Sequence, residues 1–299
     1  MIGWPSYNRS LVRRGEILFS YDFLDSWSSE LENMNENKKG KPFKFSESFI
    51  LVIGYIRYLF HLPYRQTEGV IKATGKRLPA NPPCYGHICK RINKLKAKVV
   101  KVRTDDDDDD LIISIDSTGI KVTNRGHWMN EKWNVQNKKG YLKIHVAVNI
   151  KTKEILALEV TDEKIHDSKM LRKLVRHVLD NSSQPNTAKI KVVMADGAYD
   201  SNTNFRYLEK KRIKPGIKVR SNSIVSIRNN RLRYKEVRLQ KEDLLKWKKK
   251  RKYGHRWMAE TSFSSIKRMF GEYTSVTKFH NMVKEMMLKV SLYNLFRRI

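Results

Sequence analysis

The sequence predicts an α/β protein, in which a mixed sheet flanked by helices follows an all-α N-terminal domain. Residues 1–104 show the apolar spacing of helices, whereas residues 111–299 begin with β-branched strands. The acidic run Asp105–Asp110 separates them, and a block of like charges is typical of a solvated linker. We therefore predict a domain at 1–104, a linker at 105–110 and a second domain at 111–299. A mimic of a phosphate backbone, or a loose metal-holding segment, is the alternative for the acidic run.

Length and composition exclude several classes of protein. The chain has 299 residues and is 40% hydrophobic, which is enough for one large or two ordinary globular domains. It has no apolar run of about 18 residues and no signal-peptide pattern, so we expect a cytoplasmic protein. Two cysteines, Cys84 and Cys89, form neither a disulfide framework nor a zinc-binding pair.

The positive charge is concentrated at the end of the chain. The formal net charge is +30, of which residues 201–299 carry +20, with 27 basic and 7 acidic residues. Residues 101–200 carry only +1. Such a polycation attracts a polyanion and releases its counterions, so nucleic acid is the expected partner; a solvated basic surface is the alternative.

Three helices are predicted in the N-terminal domain. Ser46 is placed to cap a helix that ends before Pro63, Tyr64–Thr74 forms the second, and Tyr85–Val99 the third. A short helix, a turn and a basic helix suit helix-turn-helix docking in a DNA major groove, although basic amphipathic helices are common. The predicted DNA-facing residues of the third helix are Lys90, Arg91 and Lys94.

The following segment predicts the strand order of a ribonuclease-H-like core. Its elements are the strand Leu111–Ile115, the strands Tyr141–Ile150 and Glu154–Val160, the helix Asp167–Leu179 and the strand Ile190–Ala195. A meander of three strands, a crossover helix and a fourth strand make up that order. The remaining elements are a helix near Ser201–Lys211, a strand at Ile217–Val219, a basic insertion near 201–252, and helices at Gly254–Phe270 and His280–Arg298.

Two carboxylates follow buried strands. Asp116 comes directly after the first strand, and Asp196 directly after the fourth. If these strands pair in parallel, both side chains emerge at one edge of the sheet, where they repel each other. A divalent cation removes that repulsion, and Mg²⁺ prefers oxygen ligands of this kind.

A third acid is available on the helix near the C-terminus. Arg256, Glu260, Ser264 and Lys267 have helical spacing and share one face, which suits a site that holds both metal and phosphate. On spacing alone, an ordinary salt-bridge ladder on a helix surface is the favoured interpretation.

Several motifs together resemble a known family. The pattern Tyr253-x2-Arg256-x3-Glu260-x6-Lys267 is similar to the third-carboxylate signature of insertion-sequence transposases. The segments Ile115–Gly119, Ala195–Asp200, Ser6–Gly15 and Leu62–Gly69 resemble the same group. These motifs cover most of the chain and point to DDE transposases of the IS-five kind, found in bacteria and archaea; residues 201–250 are the least recognisable part.

The resemblance implies both a mechanism and partners. The catalytic and metal-binding residues would be Asp116, Asp196 and Glu260, with two Mg²⁺ ions for which Mn²⁺ can substitute. Tyr253, Arg256 and Lys267 would contact phosphates near the scissile bond. The substrates would be double-stranded terminal inverted repeats and target DNA, bound by a homodimer at synapsis, at the nucleoid of a prokaryotic cell.

Other residues have two interpretations each. His145 either lies near the metals or is a buried structural histidine, and the second is favoured. In His166-Asp167-Ser168 we favour a helix cap formed by Asp167 or Ser168 over catalysis. Trp257 either stacks on an unpaired base or packs in the core. Trp128 and Trp133 lie in a polar loop that could contact DNA.

Three functions remain open on the sequence. The favoured one is a transposase that cleaves and joins DNA strands. The alternatives are a structure-specific nuclease on the same core, and a non-catalytic DNA-binding protein derived from a transposase. Intact acids at 116, 196 and 260 argue against the last, because simple binding does not need buried acids in a polycation.

Overall fold

The computed structural model describes residues 3–95, 111–122, 141–181, 190–227 and 230–299. The acidic run at 105–110 and the loop with Trp128 and Trp133 lie outside these residues. The chain divides into two compact units, Met1–Lys98 with Val276–Ile299, and Val99–Ser275. This division differs from the predicted domains, because it groups the last helix with the N-terminal helices. No helix in the described ranges is long and apolar enough to span a membrane.

The described elements follow one another as helices, then strands, then helices. The helices are α1 (Trp4–Phe19), α2 (Trp27–Asn35), α3 (Glu47–Leu59), α4 (Tyr64–Thr74), α5 (Tyr85–Lys94), α6 (Leu171–Asp180), α7 (Asn202–Lys210), α8 (Arg231–Glu242), α9 (Leu244–Arg251), α10 (Trp257–Phe270) and α11 (Phe279–Arg297). The strands are β1 (Leu111–Lys121), β2 (Tyr141–Asn149), β3 (Ile155–Asp162), β4 (Ile190–Ala195) and β5 (Lys214–Ile217).

The first unit is all-α, as predicted. Ser46 caps α3 by accepting a hydrogen bond from the Phe49 N–H at 3.3 Å, and α4 has the predicted bounds. The C-terminal helix α11 packs against α3, where the Tyr55 and Ser291 hydroxyls lie 2.7 Å apart in the interior. The core of this unit therefore needs the last helix of the chain as well as the first ninety residues.

The second unit is built on a five-stranded mixed sheet in the order β3-β2-β1-β4-β5. The first three strands form an antiparallel meander, and β4 pairs parallel with β1. Helix α6 packs on β2 and β3, while α10 packs on β1 and β2. The predicted ribonuclease-H-like strand order and α/β fold class are therefore confirmed.

The alternation along β1 sends its polar side chains to two different faces of the sheet. Ile113 and Ile115 belong to the core that includes α6. Ser114 points the other way, where its hydroxyl donates to the Arg256 carbonyl at 3.0 Å, just before α10. Asp116 lies two residues beyond Ser114 and therefore shares the α10 face, whereas Ser117 faces the α6 side.

Beyond β4, the basic insertion is more ordered than the sequence pattern indicates. Helices α8 and α9 cover residues for which no regular structure is predicted. The short strand is Lys214–Ile217 and not Ile217–Val219, because β5 pairs parallel with β4 through Pro215 and Gly216. A proline is tolerated here because β5 is an edge strand of the sheet.

Candidate functional site

Asp116 and Asp196 lie at the same level of the sheet. The last matched pair of the parallel strands β1 and β4 is Ser114 with Met194, and each aspartate follows two residues later. β4 ends at Ala195, but β1 continues beyond Asp116 to Lys121 because it keeps pairing with β2. The strand was predicted to end just before Asp116, but in the structure Asp116 lies inside β1. The two carboxylates still emerge together.

Each of the two carboxylates is oriented by a backbone N–H that lies one or two residues later in the chain. Asp116 Oδ1 accepts from the Ser117 N–H at 2.9 Å, and Asp196 Oδ1 accepts from the Ala198 N–H at 2.9 Å. Burial raises the pKa of Asp116, and the Asp196 and Glu260 carboxylates raise it further, while the Ser117 N–H and Arg256 act in the opposite direction. The Asp196 and Glu260 carboxylates are therefore each close enough to repel that of Asp116.

Arg256 joins two of the three acids. Its Nη1 donates to Asp116 Oδ2 at 3.1 Å, and its Nη2 donates to Glu260 Oε1 one helical turn further on. Burial lowers the pKa of Arg256, but Asp116, Tyr253 and Glu260 raise it overall. The i,i+4 salt bridge predicted as the ordinary alternative is thus present, and it also connects the helix to the first carboxylate.

Tyr253 fixes the signature segment beside the second carboxylate. Its hydroxyl donates to the Ala195 carbonyl at 3.3 Å, and its ring packs on Trp247 with centroids 5.1 Å apart. Burial raises the pKa of Tyr253 to about 12, and the neighbouring carboxylates add to the effect. This hydroxyl is therefore protonated at neutral pH and serves to hold the turn before α10 next to Asp196.

An acidic cleft of about 510 Å³ opens on the α10 side of the sheet. Its charged lining residues are Asp116, Glu260, Glu272, Lys267 and Arg268. Three residues of the predicted helical stripe, Glu260, Ser264 and Lys267, line this cleft. The fourth, Arg256, does not line it but forms an ion pair with Glu260. Among the described residues, no group of three or more His, Cys, Asp and Glu side chains is arranged to hold a metal ion. Glu260 is paired with Arg256 instead.

A basic cleft of about 630 Å³ opens beside Asp196. Its cationic lining residues are Lys218, Arg220, Lys241, Lys248 and Arg256. Among the described residues, Asp196 is the one acid that lines it. Because Arg256 lines this cleft and also bonds Asp116 and Glu260, the two clefts meet at its guanidinium.

The three predicted DNA-facing residues of α5 do not share one environment. Lys90 and Lys94 are exposed, but Arg91 is 6% exposed, so its predicted position on the outer face is wrong. Its Nη2 donates to the Phe45 carbonyl at 3.1 Å, and its guanidinium carbon lies 4.6 Å from the centre of the Phe43 ring. Arg91 is three residues after the buried Ile88, and this spacing places both side chains on one face of α5.

Structure decides between the alternatives for three other residues. His145 is fully buried, with its Nε2 2.9 Å from the Thr161 hydroxyl, which favours the structural interpretation. His166, and not Asp167 or Ser168, caps the following turn by accepting from the Ser168 N–H. Trp257 is 51% exposed, which excludes core packing.

Two further carboxylates, Asp167 and Asp200, hold residues around the site in place. The sequence did not predict this role for either of them. Asp167 accepts from the Ser117 hydroxyl at 2.9 Å and from Lys143 at 2.7 Å, so it holds the residue after Asp116. Asp200 is buried, and its carboxylate accepts hydrogen bonds from Nε and Nη2 of Arg233 at 2.7 and 2.9 Å. A signal for Asp200 was its place in the segment Ala195–Asp200, four residues after Asp196.

Comparison with solved structures gives only distant likenesses. One is the piggyBac transposase synaptic complex with hairpin DNA, which is 8% identical in sequence. The match covers 95% of this chain and 73% of that chain, with a TM-score of 0.39. A second is the Drosophila P element transposase strand transfer complex, at 11% identity, with 90% and 69% covered and a TM-score of 0.30. A third is the simian T-cell lymphotropic virus intasome in complex with PP2A regulatory subunit B56 gamma, at 11% identity, with 73% and 69% covered and a TM-score of 0.23. These TM-scores are too low to bear on function.

Comparison with family models is decisive. A model described as transposase DDE domain matches residues 107–295, and a second model of the same description matches residues 12–125. The first match covers more than half of the chain and includes all three carboxylates. This protein therefore belongs to the transposase DDE domain family.

Proposed function

We propose that this protein is an insertion-sequence transposase of the IS-five kind, which binds the terminal inverted repeats of its element and catalyses metal-dependent strand cleavage and strand transfer. The observation that carries the proposal is the convergence of three acids. Asp116 and Asp196 lie level on neighbouring parallel strands, and Glu260 reaches the same place from α10. Binding alone does not need carboxylates that are held against mutual repulsion.

The donor set fits divalent cations. All three groups are carboxylates, which are the oxygen ligands that Mg²⁺ and Mn²⁺ take, and a cationic guanidinium already balances two of them. Glu260 is 55% exposed on its side chain, and such exposed ion pairs are weak, so the pair with Arg256 is readily exchanged. When bound, two such ions would activate the attacking oxygen and stabilise the leaving oxygen of an in-line displacement.

The side chains of the protein position the DNA and balance its charge. The N–H groups of Ser117 and Ala198 hold the two aspartates in fixed orientations. Arg256 presents a planar fork suited to a phosphate, and Lys267 provides a point charge in the acidic cleft. No covalent enzyme intermediate is required, so one site can use water for cleavage and a DNA 3′-hydroxyl for joining.

The charge distribution supports binding of double-stranded DNA. The last third of the chain carries +20, and Lys90 and Lys94 of α5 are exposed after a short helix and turn. We therefore include in the proposal that α5 contacts the ends of the element. Joining two ends to one target further suggests a homodimer at synapsis, acting at the nucleoid of a prokaryotic cell.

The acids are tested by isosteric substitution. Asp116→Asn, Asp196→Asn and Glu260→Gln keep the side-chain shape and remove the negative charge. We expect each to abolish nicking of supercoiled plasmid in Mg²⁺ while binding to DNA in EDTA persists. Glu272→Gln is the matched control, because it removes an acid from the same cleft that lies outside the triad, and it should remain active.

Two outcomes would contradict the proposal. Retained nicking in any of the three triad variants would remove that residue from the catalytic set. Nicking by the wild type without transfer of a labelled 3′-hydroxyl end into a plasmid would favour a nuclease over a transposase.

A further inference from the structure

The two clefts that meet at Arg256 have opposite charge. Counting only residues in the described ranges, three carboxylates and two cations line the acidic cleft, which gives a formal net charge of −1. On the same basis, five cations and the carboxylate of Asp196 line the basic cleft, which gives +4. A metal ion suits the first environment, whereas the second attracts an anion and, without one, its cations repel each other.

The cations of the basic cleft are held in place next to Asp196. The Lys218 N–H donates to the Ala195 carbonyl at 3.2 Å, and Arg220 Nε donates to the Gly197 carbonyl at 3.1 Å. These bonds attach Lys218 and Arg220 to the residues on either side of Asp196. Both residues therefore lie beside Asp196, where the Arg220 guanidinium is held by its side-chain bond and Lys218 is held through its backbone.

The opposite wall of the basic cleft is fixed by Gln240. Its amide donates to the Ile217 carbonyl at 2.9 Å, and its oxygen accepts from the Val219 N–H at 3.0 Å. Both bonds are buried, and they fasten α8 to the chain that leaves β5. Lys241 follows Gln240 directly, and Lys248 lies on the next helix, so both cations have a rigid support.

The size and lining of the basic cleft define its occupant. A volume of about 630 Å³ is in the range of pockets that enclose a small ligand, about 300–1,000 Å³, and is far too small to enclose a duplex. Its aromatic side chain, Tyr253, is buried with its hydroxyl bonded to Ala195, so it offers no exposed face for base stacking. Such a lining recognises a sugar-phosphate backbone and not bases.

We propose that the basic cleft binds the backbone of one unpaired DNA strand on the Asp196 side of the scissile bond. The inference rests on the proposed function and adds the path of a strand to it. Because Asp196 and Arg256 line the cleft, a strand cut at the carboxylates continues directly between Lys218 and Lys248. The duplex parts of the DNA would bind to other basic surfaces of the protein.

The test compares two pairs of lysines on the same two helices. Lys241→Gln with Lys248→Gln removes two cations from the cleft. Lys235→Gln with Lys249→Gln removes two exposed cations from α8 and α9 that do not line it. The full-length protein is titrated in EDTA with a labelled oligothymidylate, and with a blunt duplex of equal length, over a series of salt concentrations.

For the single strand, the cleft pair should flatten the plot of log affinity against log salt by about 1.4, since each lost phosphate contact contributes about 0.7. The control pair should leave this slope at the wild-type value. For the duplex, the two pairs should behave alike. Equal slopes for both pairs with oligothymidylate, or an equal loss with the duplex, would overturn the proposal.

A separate readout distinguishes this inference from the proposed function. Wild-type nicking of plasmid in Mg²⁺ reports catalysis, whereas the salt slopes measured in EDTA report binding alone. If the wild type nicks and the two lysine pairs have the same slope, the inference fails while the proposed function stands. If the wild type does not nick but the slopes differ, the proposed function fails while the single-strand cleft stands.

Discussion

Arg256 lines the basic cleft and bonds two acids of the acidic cleft, but the two clefts are held in place by different kinds of interaction. The acids of the first are set by strand register and by one turn of helix, so backbone hydrogen bonds determine where they lie. The cations of the second come from loops and helices outside the sheet. Buried side chains such as Asp200, Glu236 and Gln240 determine their positions. The acidic cleft should therefore tolerate changes that collapse the basic cleft.

The largest expected effect comes from removing the carboxylate under the basic cleft. Asp200 accepts from Arg233, from the Ser223 hydroxyl at 2.8 Å and from the Arg220 N–H at 3.1 Å. Asp200→Ala leaves a largely buried guanidinium without its partner, which costs about 3 kcal/mol in free energy of unfolding. Urea denaturation measures it.

Glu242→Ala is the control for the Asp200 prediction. It breaks the exposed pair between Arg238 and Glu242, and we expect no measurable change in the denaturation midpoint. If both variants lose equal stability, burial of the ion pair is not what supports the basic cleft.

A second prediction concerns the other side of the sheet and depends on pH. Burial lowers the pKa of His145 to about 4; Asp167 opposes this shift and Lys143 adds to it, while Thr161 bonds the ring. In the unfolded chain a histidine titrates near 6.5, so the unfolded state binds the proton first. The resulting stability is complete above about pH 6.5 and is lost as the pH falls toward 4.

The His145→Gln variant should lack this component. Between pH 7 and pH 4, the wild type should lose roughly 3 kcal/mol more of its free energy of unfolding than the variant does. Urea denaturation at the two pH values measures the difference. Parallel losses in the two proteins would show that His145 does not titrate within this window.

A smaller effect is expected where α8 is fastened to the sheet edge. Gln240→Leu conserves most of the volume but removes both hydrogen bonds to Ile217 and Val219. Two buried backbone groups then lose their partners, which costs about 2 kcal/mol. We expect the variant to keep metal-dependent nicking but to show a flatter plot of log affinity against log salt for oligothymidylate. An unchanged slope would show that the basic cleft does not depend on the two hydrogen bonds of Gln240.

The sheet was predictable because its signal is local. β-branched runs gave the strands, and β4 has the predicted bounds, Ile190–Ala195. α8 and α9 were not predictable, because basic residues dominate their sequence and hide the apolar spacing. What folds them is tertiary: buried Glu236 accepts from Trp247 at 2.7 Å and from Arg251.

The three candidate catalytic carboxylates also differed in how far the local sequence could predict them. Asp116 and Asp196 followed from strand ends and the cost of burying charge, whereas Glu260 needed the resemblance to a signature. Arg91 was misplaced because a helix with few buried positions leaves its inner edge undefined by spacing. The close approach at Gly216 is visible only in the structure: a Cβ there would lie 3.2 Å from Met194 Cγ, so any side chain would require Met194 to shift by a few tenths of an ångström.

The smallest effect is expected at Lys252, directly before the signature segment. Lys252 ends α9 with a φ of 51°, a left-handed conformation that costs a residue with a side chain about 1–2 kcal/mol. Lys252→Gly removes this strain but gives the unfolded chain more freedom, so it should stabilise the protein by less than about 1 kcal/mol. The same change inside the helix, Lys250→Gly, should destabilise by about 1 kcal/mol. Because Tyr253 follows directly, a stabilising Lys252→Gly with unchanged nicking would show that the strain is not needed to hold the signature segment, and a loss of nicking would show that it is.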